Sequence, residues 1–337
     1  MKIGVTGASG FIGRKLCRAL IESDFEVYKF VRREPKNDNE IYWKPSKKEI
    51  DQEKFESLDA IIHLAGESIA PKDIFGFLPF AGGRWSKERK SRIYWSRKWG
   101  SETFIHAYQS SKNYPKVFIT ASGNDVYGDH GDEVVTEETP YNRGQYLQLV
   151  VEEAWEGPLD EIKKLGVRVV MCRAGIVLGR GNVATQIFTL VSKLNLSGPI
   201  GKGEQYFSWV SVNDLVSAYI FCLNNSDISG PVNCTAPEPL QQKEFARIIA
   251  KTMNKKFFAP PLPPIIMRIA VGWELGEQLG LNSIRAIPKK LLEKGFVFKN
   301  TTLDTMKEDF INAVSYTHLR AHETREDLVC PLLLEKK

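Results

Sequence analysis

The stretch IGVTGASGFIG, residues 3–13, decides the fold of this chain. It begins as a short apolar run typical of a buried strand, and the residues after it, RKLCRALIES at 14–23, carry apolar side chains at helical spacing. Gly7, Gly10 and Gly13 lie three residues apart in the connection. Glycine there lets the backbone turn tightly and brings bare N–H groups and a helix N-terminus close to an anion such as a pyrophosphate. The stretch therefore predicts the start of a βαβ unit that binds a dinucleotide.

Strand and helix continue to alternate along the first half of the chain. Further strands are predicted in EVYKFVR (26–32), LDAIIHLAG (58–66), KVFITAS (116–122) and VRVVMCRAG (167–175). Helical patterns lie between them, notably at 86–111 and 146–165. Several strands are apolar on both faces, which indicates a parallel sheet covered by helices. The predicted fold class is α/β.

Beyond Gly179 the elements become shorter. We predict a helix near 183–194, a strand at FSWV, a helix at LVSAYIFCL and a short strand at VNC. QQKEFARIIAKTMN reads as a helix, PPLPPIIM as a turn into another helix, and IPKKLLEKGFVF as a helix followed by a strand. We expect these elements to form a smaller α/β C-terminal lobe at the edge of the sheet, with the ligand site in the cleft between the lobes.

Composition argues against several classes of protein. The 337 residues include 46 basic and 41 acidic side chains, and because the net charge of +5 is spread along the chain we expect no nucleic-acid partner. The densest basic run, GGRWSKERKSRIYWSRKW at 82–99, favours a solvated amphipathic helix over a phosphate-binding one. No signal peptide or membrane span is apparent, so a cytoplasmic protein without membrane contact is expected.

The cysteines also bear on the compartment. They number five, with no paired spacing, and most stand in apolar runs: Cys17, Cys172, Cys222, Cys234 and Cys330. They read as small core residues in a reducing compartment. We predict no metal site.

The end of the second predicted strand bears on which dinucleotide binds. A site for NAD usually ends this strand with an acidic side chain that accepts from the ribose 2′-hydroxyl. Here the strand ends FVRRE, and Arg32 and Arg33 can pair with a 2′-phosphate. The sequence therefore predicts NADP(H), although two arginines at a strand end are also compatible with simple solvation and Glu34 follows them directly.

Longer stretches carry a resemblance to a known family. TGASGFIG, HLAG and ITASGNDVYGD resemble the extended short-chain dehydrogenase/reductases of the NAD-dependent epimerase/dehydratase superfamily. The stretches AGESIA, SRKWGSET, YGDHGDEVVTEETP, CRAGIVLGRG and GPIGKGEQYFSWVSVNDL are similar to the atypical, YfcH-type branch labelled "epimerase family protein". The similarity runs from Met1 to about Phe310, and about ten extra, largely apolar residues interrupt it before Gly82.

The resemblance implies a Rossmann-type doubly wound parallel sheet that binds NADP(H), with a smaller C-terminal lobe. We divide the chain into a cofactor domain at 1–239 that includes part of the substrate lobe, a family-specific domain at 240–313 and a tail at 314–337. The tail, which contains SYTHLRAHETREDLVCPLLLEKK, resembles a translated cloning adapter and is expected to be non-native, the alternative being an ordinary terminal helix.

The cofactor contacts combine the glycine loop and the two arginines with positions that the resemblance supplies. It implies that Leu64 to Glu67 lie along the adenosine and ribose side, with Arg173 to Val177 near the nicotinamide. The full predicted set is Gly7, Ser9, Gly10, Phe11, Ile12, Gly13, Arg32, Arg33, Leu64, Ala65, Gly66, Glu67, Ser122, Arg173 and Gly175.

Active members of this superfamily use a proton relay of a serine or threonine, a tyrosine and a lysine four residues later. The resemblance puts Ser122 at the first position and Tyr146, with a register uncertain by one residue, at the second. Val150 stands where the lysine is expected. Without a nearby cation a tyrosine keeps a pKa of about 10 and is a poor base at neutral pH. We therefore expect that the usual relay does not operate.

Two functions remain open. In the first, the chain is an oxidoreductase or epimerase-like enzyme that acts on a small polar substrate through other groups. Tyr127, Glu67 and Asp125 are further candidates for that chemistry, although each fits a structural role in the core or in a cap equally well. In the second, the chain binds NADP(H) as a sensor or scaffold and catalyses nothing.

The aromatic and cationic residues of GGRW, together with Gln205 and Trp209, favour the enzyme. Such side chains are expected to line a cleft for a polar substrate, although tryptophans also serve in a packed core. The predicted lining is Arg84, Trp85, Gln205 and Trp209. A homodimer is compatible with the sequence.

Overall fold

The computed structural model describes residues 1–70, 84–141 and 144–312. The predictions about the extra residues before Gly82, about Cys330 and about the tail at 314–337 concern segments that lie largely or wholly outside these ranges.

Eight strands form the central sheet. They are β1 (Lys2–Thr6), β2 (Glu26–Val31), β3 (Glu40–Lys44), β4 (Glu49–Ile50), β5 (Ala60–His63), β6 (Val117–Gly123), β8 (Arg168–Ala174) and β12 (Gly230–Cys234). Their spatial order is β12-β8-β6-β5-β1-β2-β3-β4, and every neighbouring pair is parallel except β3 with β4. The chain order reverses across β1, which is the doubly wound arrangement.

Shorter strands and the helices complete the described chain. The short strands are β7 (Val134–Val135), β9 (Ile176–Leu178), β10 (Tyr206–Phe207), β11 (Trp209–Ser211), β13 (Leu240–Gln241) and β14 (Arg285–Ala286), paired as β7 with β14, β9 with β11 and β10 with β13. The helices are α1 (Phe11–Glu22), α2 (Gln52–Glu56), α3 (Lys87–Ser110), α4 (Tyr146–Val150), α5 (Asp160–Lys163), α6 (Val183–Lys193), α7 (Val212–Asn224), α8 (Gln242–Thr252), α9 (Pro264–Val271), α10 (Trp273–Gly276), α11 (Lys289–Glu293) and α12 (Lys307–Ile311).

Helices cover both faces of the sheet. On one face α1 and α7 pack against the strands through residues such as Leu16, Leu20 and Leu215. On the other face α3 contributes Phe104 and Tyr108 to a second core. The α/β class and the Rossmann-type doubly wound sheet predicted from the sequence are thereby confirmed.

Several details differ from the predictions. The hairpin of β3 and β4 was not predicted, and the VNC strand, expected in the C-terminal lobe, is part of β12 in the central sheet. The helix predicted at 146–165 breaks up, because a π-helical turn at Val151–Glu156 is followed by Gly157 and Pro158, and proline cannot donate the next helical hydrogen bond. The predicted strand at FVF is wrong: Phe296 and Phe298 are buried in the core, but the segment joins no ladder.

Side chains cover the outer edge of β12. The N–H of Asn233 donates to Glu137 Oε1 at 3.0 Å, and Lys290 Nζ donates to the carbonyl oxygens of Ser229 at 2.9 Å and Pro231 at 2.7 Å. Pro231 itself has no N–H to offer. At the opposite edge the antiparallel β4 is two residues long.

A buried carboxylate ties the C-terminal segment to α7. Asp214, which is 1% exposed, accepts the N–H of Lys299 at 2.8 Å, the N–H of Asn300 at 2.9 Å and the hydroxyl of Ser211 at 2.8 Å. The segment that leads to these two residues also places Phe296 and Phe298 in the core of the sheet. Residues from beyond position 285 thus help to hold the first half of the chain together.

Asp214→Ala is expected to lower the free energy of unfolding by about 2 kcal/mol, because it leaves two partly buried backbone N–H groups without their acceptor. Urea denaturation measures the change. Asp304→Ala is the matched control, because Asp304 is exposed, and we expect a change within about 0.5 kcal/mol there. Equal losses in the two variants would contradict the role assigned to Asp214.

Candidate functional site

The glycine loop lies at the carboxyl end of β1. Gly7 has φ of 65°, in the left-handed region that favours glycine, and a Cβ on it would lie 3.0 to 3.1 Å from backbone atoms of Leu64 and Ala65. A Cβ on Gly13 would overlap the carbonyl oxygen of Gly7. No side chain caps the start of α1 at Gly10. The loop therefore presents bare backbone and a free helix N-terminus, as an anion site requires.

The hydroxyl of Thr6 joins the ends of β1 and β5. Its Oγ1 accepts the N–H groups of Leu64 and Ala65 at 3.0 Å each and lies 2.8 Å from Nδ1 of His63. Burial, and after it the charge of Arg97, lowers the pKa of His63 to about 3, so the imidazole stays neutral. This contact fixes the turn that begins at Leu64 against the glycine loop.

A cavity of about 760 Å³ opens at the carboxyl ends of β5, β6 and β8. Among the predicted cofactor contacts it is lined by Ile12, Leu64, Gly66, Glu67, Ser122 and Gly175. Gly175 has no room for a side chain, because a Cβ would overlap the carbonyl oxygen of Ser208. The other predicted loop residues, Ser9, Gly10 and Phe11, lie at the N-terminus of α1 beside Ile12.

The far part of the cavity is mostly apolar. It extends from the sheet to α6, α9 and α10, and its lining there includes Ile187, Phe188, Val191, Leu196, Leu262, Met267, Val271 and Leu275. This composition differs from the polar cleft that we expected.

The two arginines after β2 have different surroundings. Arg33 makes a bidentate ion pair with Glu40, at 2.8 and 2.6 Å, which holds the pKa of that carboxyl at about 2. Arg32 is exposed and forms no ion pair with any residue that the structure describes. A 2′-phosphate could therefore form an ion pair with Arg32, whereas Arg33 is already paired with Glu40.

Ser122 belongs to a buried network below the cavity wall. Its hydroxyl donates to Glu156 Oε1 at 2.6 Å, and the same carboxylate forms an ion pair with Arg173, at 2.9 and 2.6 Å. Arg173 also donates to the hydroxyls of Tyr127 at 2.9 Å and Tyr141 at 2.5 Å. Arg173 was predicted near the nicotinamide. It is 2% exposed and does not line the cavity, because its guanidinium is buried in the ion pair with Glu156.

Tyr146, unlike Ser122, does not line the cavity. Its hydroxyl donates to the carbonyl oxygen of Lys90 at 2.5 Å, and its ring packs at 5.3 Å from that of Trp85. Burial raises the pKa of Tyr146 to about 12 although the charge of Arg97 lowers it in part. Val150 is fully buried. The structure does not bring the predicted serine and tyrosine together at the cavity.

The predicted substrate lining is likewise held elsewhere. Arg84 donates to the backbone carbonyls of Ile269 and Ala270, and Trp85 Nε1 donates to that of Ile69 at 3.0 Å. Gln205 donates to the carbonyl of Gly280 at 3.0 Å, and Trp209 is fully buried in a core of the second half. Those four side chains serve packing and backbone contacts and are not part of the cavity wall.

Asp125 is the titratable acid at the sheet end of the cavity. It lines the cavity just beyond β6, and burial raises the pKa of its carboxyl to about 6. A group that titrates near neutral pH is suited to general acid and base work. Glu67, the other acidic candidate, also lines the cavity and offers its backbone carbonyl to Arg97 at 3.0 Å.

Several lining residues near the carboxyl ends of β5 and β6 were not predicted as site residues. Among them are Arg97, Asn124 and Trp155. Arg97 lies in the basic run at 82–99 that we interpreted as a solvated helix, and that interpretation is wrong there: Arg89 is 8% and Arg97 4% exposed. The signal in the sequence was the position of Arg97 four residues after Ile93, on the same face of α3 as a buried apolar side chain.

Family models match most of the chain. A model described as "NAD dependent epimerase/dehydratase family" matches residues 3–234, and one described as "Domain of unknown function (DUF1731)" matches residues 262–309. An epimerase family protein of Mycobacterium leprae is 33% identical over 303 residues, which cover 89% of this chain and 92% of the relative. The epimerase family protein YfhF of Bacillus subtilis is 31% identical over 308 residues, covering 90% and 96%.

Solved structures share the fold. The human epimerase family protein SDR39U1 with NADPH superposes with a TM-score of 0.76 at 24% identity, over 93% of this chain and 100% of that one. The UDP-glucose 4-epimerase of Thermus thermophilus with NAD superposes with a TM-score of 0.68 at 18% identity, over 93% and 99%. Within the described ranges, the helices are too short or too polar to span a membrane.

Asp125→Asn is expected to stabilise the protein above pH 6. The pKa of about 6 in the folded state exceeds the usual value of 3.8 for this carboxyl, so the native state binds more protons than the unfolded state between these two pH values, and stability falls as pH rises through that window. The amide does not ionise. Its advantage should be on the order of 1 to 3 kcal/mol at pH 7 and vanish below about pH 4, as measured by urea denaturation across pH. An advantage that is the same at pH 4 and pH 7 would contradict the assignment.

Proposed function

The chain belongs to the NAD dependent epimerase/dehydratase family, and from this premise we propose that it is an enzyme that uses NADP(H) in an oxidoreductase or epimerase-like reaction on a small molecule. The observation that carries the proposal is the cavity that runs from the glycine loop side of the sheet, past Ser122 and the buried carboxyl of Asp125, into an apolar chamber. Such a cavity gives a cofactor and a second ligand one shared space.

The residues present fit a nicotinamide dinucleotide. Gly7 and Gly13 keep the loop free of side chains, and the uncapped start of α1 faces the space where a pyrophosphate belongs. Leu64, Gly66 and Gly175 would lie along the rest of the molecule. When bound, the nicotinamide supplies hydride transfer.

Arg32 supports NADP(H) over NAD(H). Its guanidinium has no competing carboxylate among the described residues, whereas Arg33 is paired with Glu40. The human relative of known structure contains NADPH, and the Thermus epimerase contains NAD. Because Arg32 at the end of β2 is available for a 2′-phosphate, we propose that this chain binds NADP(H), the cofactor of the human protein.

Asp125 is the group that we assign to proton transfer. Since its pKa is about 6, a substantial fraction of the carboxyl stays protonated at slightly acid pH and can donate to a substrate oxygen. Ser122 has a lesser role in the proposal, because its proton is engaged by Glu156 and its oxygen remains only as an acceptor or a second contact.

The apolar chamber bears on the substrate. A ligand that fills it needs an apolar body, with its polar or reacting end at the Asp125 side. We therefore replace the expected small polar substrate by a molecule of mixed character.

The alternative is a cofactor sensor that catalyses nothing. Two observations favour it. The hydroxyl of Tyr146 is hydrogen-bonded to a backbone carbonyl and does not reach the cavity wall, and the position of the relay lysine is occupied by the buried Val150. It predicts tight binding of NADPH without turnover.

Arg32→Ala is expected to lower the affinity for NADPH roughly tenfold or more and to leave that for NADH unchanged, because a charge-assisted hydrogen bond to the 2′-phosphate is lost. Arg33→Ala is the matched comparison and should cost less, since Arg33 is engaged by Glu40. Fluorescence titration with both cofactors measures the effect. Equal affinity of the unaltered protein for NADPH and NADH would overturn the preference.

Asp125→Asn is expected to reduce NADPH-dependent turnover by about 10²-fold or more, the usual scale for a positioned proton donor. Tyr146→Phe should reduce it much less, and the unaltered protein should show a pH dependence with a midpoint near 6. Aldehydes, ketones and nucleotide sugars, including substrates with apolar bodies, form the screen. If Tyr146→Phe proves the more damaging change, a tyrosine mechanism replaces ours, and if NADPH binds but nothing turns over, the sensor replaces the enzyme.

A further inference from the structure

With Val150 at the position of the relay lysine, the positive charge at the cofactor site has to come from another residue. In the superfamily that the sequence resembles, the relay lysine holds the nicotinamide ribose as well as assisting the tyrosine. Three charged residues line the cavity in the part of the chain that the structure describes, namely Glu67, Asp125 and Arg97. Arg97 is the cation among them, and it comes from α3 rather than from the helix that begins at Tyr146.

Packing holds the Arg97 guanidinium at the cavity wall. Its Nη1 donates to the carbonyl oxygens of Glu67 and Ile93 at 3.0 Å each, and its Cζ lies 4.2 Å from the centre of the Trp155 ring. A Cβ on Gly66 would lie 3.2 Å from the same Cζ. The side chain is thus clamped between the turn after β5 and Trp155, both of which line the cavity.

No carboxylate of the described residues forms an ion pair with Arg97, and the nearby charge of Glu67 only partly offsets the effect of burial. Arg97 is 4% exposed, its Nε is buried without a hydrogen-bond partner, and it forms no ion pair with a described residue. Burial lowers the pKa of Arg97 to about 10, which leaves it protonated at neutral pH. A buried and unpaired cation costs the fold free energy, and such groups persist where a ligand uses them.

The position of Arg97 along the sheet selects the part of the ligand it would meet. Arg32 lies beyond β2, the glycine loop follows β1, and Arg97 touches the turn after β5 on the other side of β1. A dinucleotide with its 2′-phosphate at Arg32 and its pyrophosphate at the loop extends its nicotinamide half toward β5 and β6. The Arg97 guanidinium lies between this turn and Trp155, so a dinucleotide bound in this way would have its nicotinamide half beside Arg97, whereas the resemblance alone implies the adenosine and ribose side for residues 64–67.

We propose that Arg97 replaces the missing lysine as the cation that binds the nicotinamide ribose, donating hydrogen bonds to the ribose hydroxyls. The inference rests on the proposed binding of NADP(H). It assigns Arg97 to cofactor binding and leaves proton transfer to another group.

The test compares two ligands. NADPH contains the nicotinamide ribose, whereas adenosine 2′-phosphate 5′-diphosphate contains the 2′-phosphate and both linking phosphates but lacks that ribose. Arg97→Gln is expected to weaken NADPH binding roughly tenfold to hundredfold and to leave binding of the fragment unchanged, as measured by calorimetric titration. Arg97→Lys should retain most of the NADPH affinity. Arg92→Gln, at an exposed position on the same helix, is the matched control and should change neither.

The melting temperature without ligand separates binding from a structural role. Because Arg97 is buried without an ion-pair partner among the described residues, Arg97→Gln should melt at the same temperature as the unaltered protein or higher, while losing part of the upward shift that NADPH produces. A large fall in melting temperature or a failure to fold would overturn the inference. So would equal weakening of both ligands, which would assign Arg97 to the pyrophosphate, or unchanged affinity for NADPH.

Failure of the broader proposal looks different. If the unaltered protein binds neither NADPH nor the fragment, the cofactor assignment fails and takes the role of Arg97 with it. If the unaltered protein binds NADPH and Arg97→Gln binds it equally well, the role of Arg97 alone fails.

Discussion

The contact between two turns organises the site. Gly7 lies so close to the backbone of Leu64 and Ala65 that a Cβ would touch it, and the Thr6 hydroxyl binds both N–H groups of that second turn. The glycine loop and the turn after β5 are therefore built as one unit. Everything that faces the cavity from this side, including Gly66, Glu67 and the clamp on Arg97, inherits its position from this unit.

The sequence was most informative where local chemistry decides the structure. The glycine spacing and the two-faced apolar strands correctly predicted a parallel sheet covered by helices, since both are properties of neighbouring residues, and the resemblance added the doubly wound arrangement. The hairpin of β3 and β4 was not predicted, because its short strands are stabilised by pairing with the edge of the sheet rather than by their own residues. FVF consists of the aromatic and β-branched residues that are typical of strands, but this composition does not supply a partner strand, and its two phenylalanines pack into the core instead.

The site was harder to predict because the roles of its charged residues depend on tertiary partners. Arg97 and Arg173 are both buried arginines, yet their surroundings differ. Burial opposes the charge of Arg173, but hydrogen bonds and the charge of Glu156 outweigh it and raise the pKa of Arg173. Arg97 has no such partner among the described residues, and burial lowers its pKa. No spacing in the sequence distinguishes a structural arginine of the first kind from a ligand-facing one of the second.

The two edges of the central sheet limit how copies of this chain can associate. Glu137 and Lys290 occupy the backbone groups that β12 would offer to a further strand, and the two residues of β4 are too few to template one. The protein is thereby guarded against the edge-to-edge growth by which exposed strands aggregate. If the chain forms a homodimer, these two edges disfavour the merging of its two central sheets into one continuous sheet, and contacts through other described surfaces are expected instead.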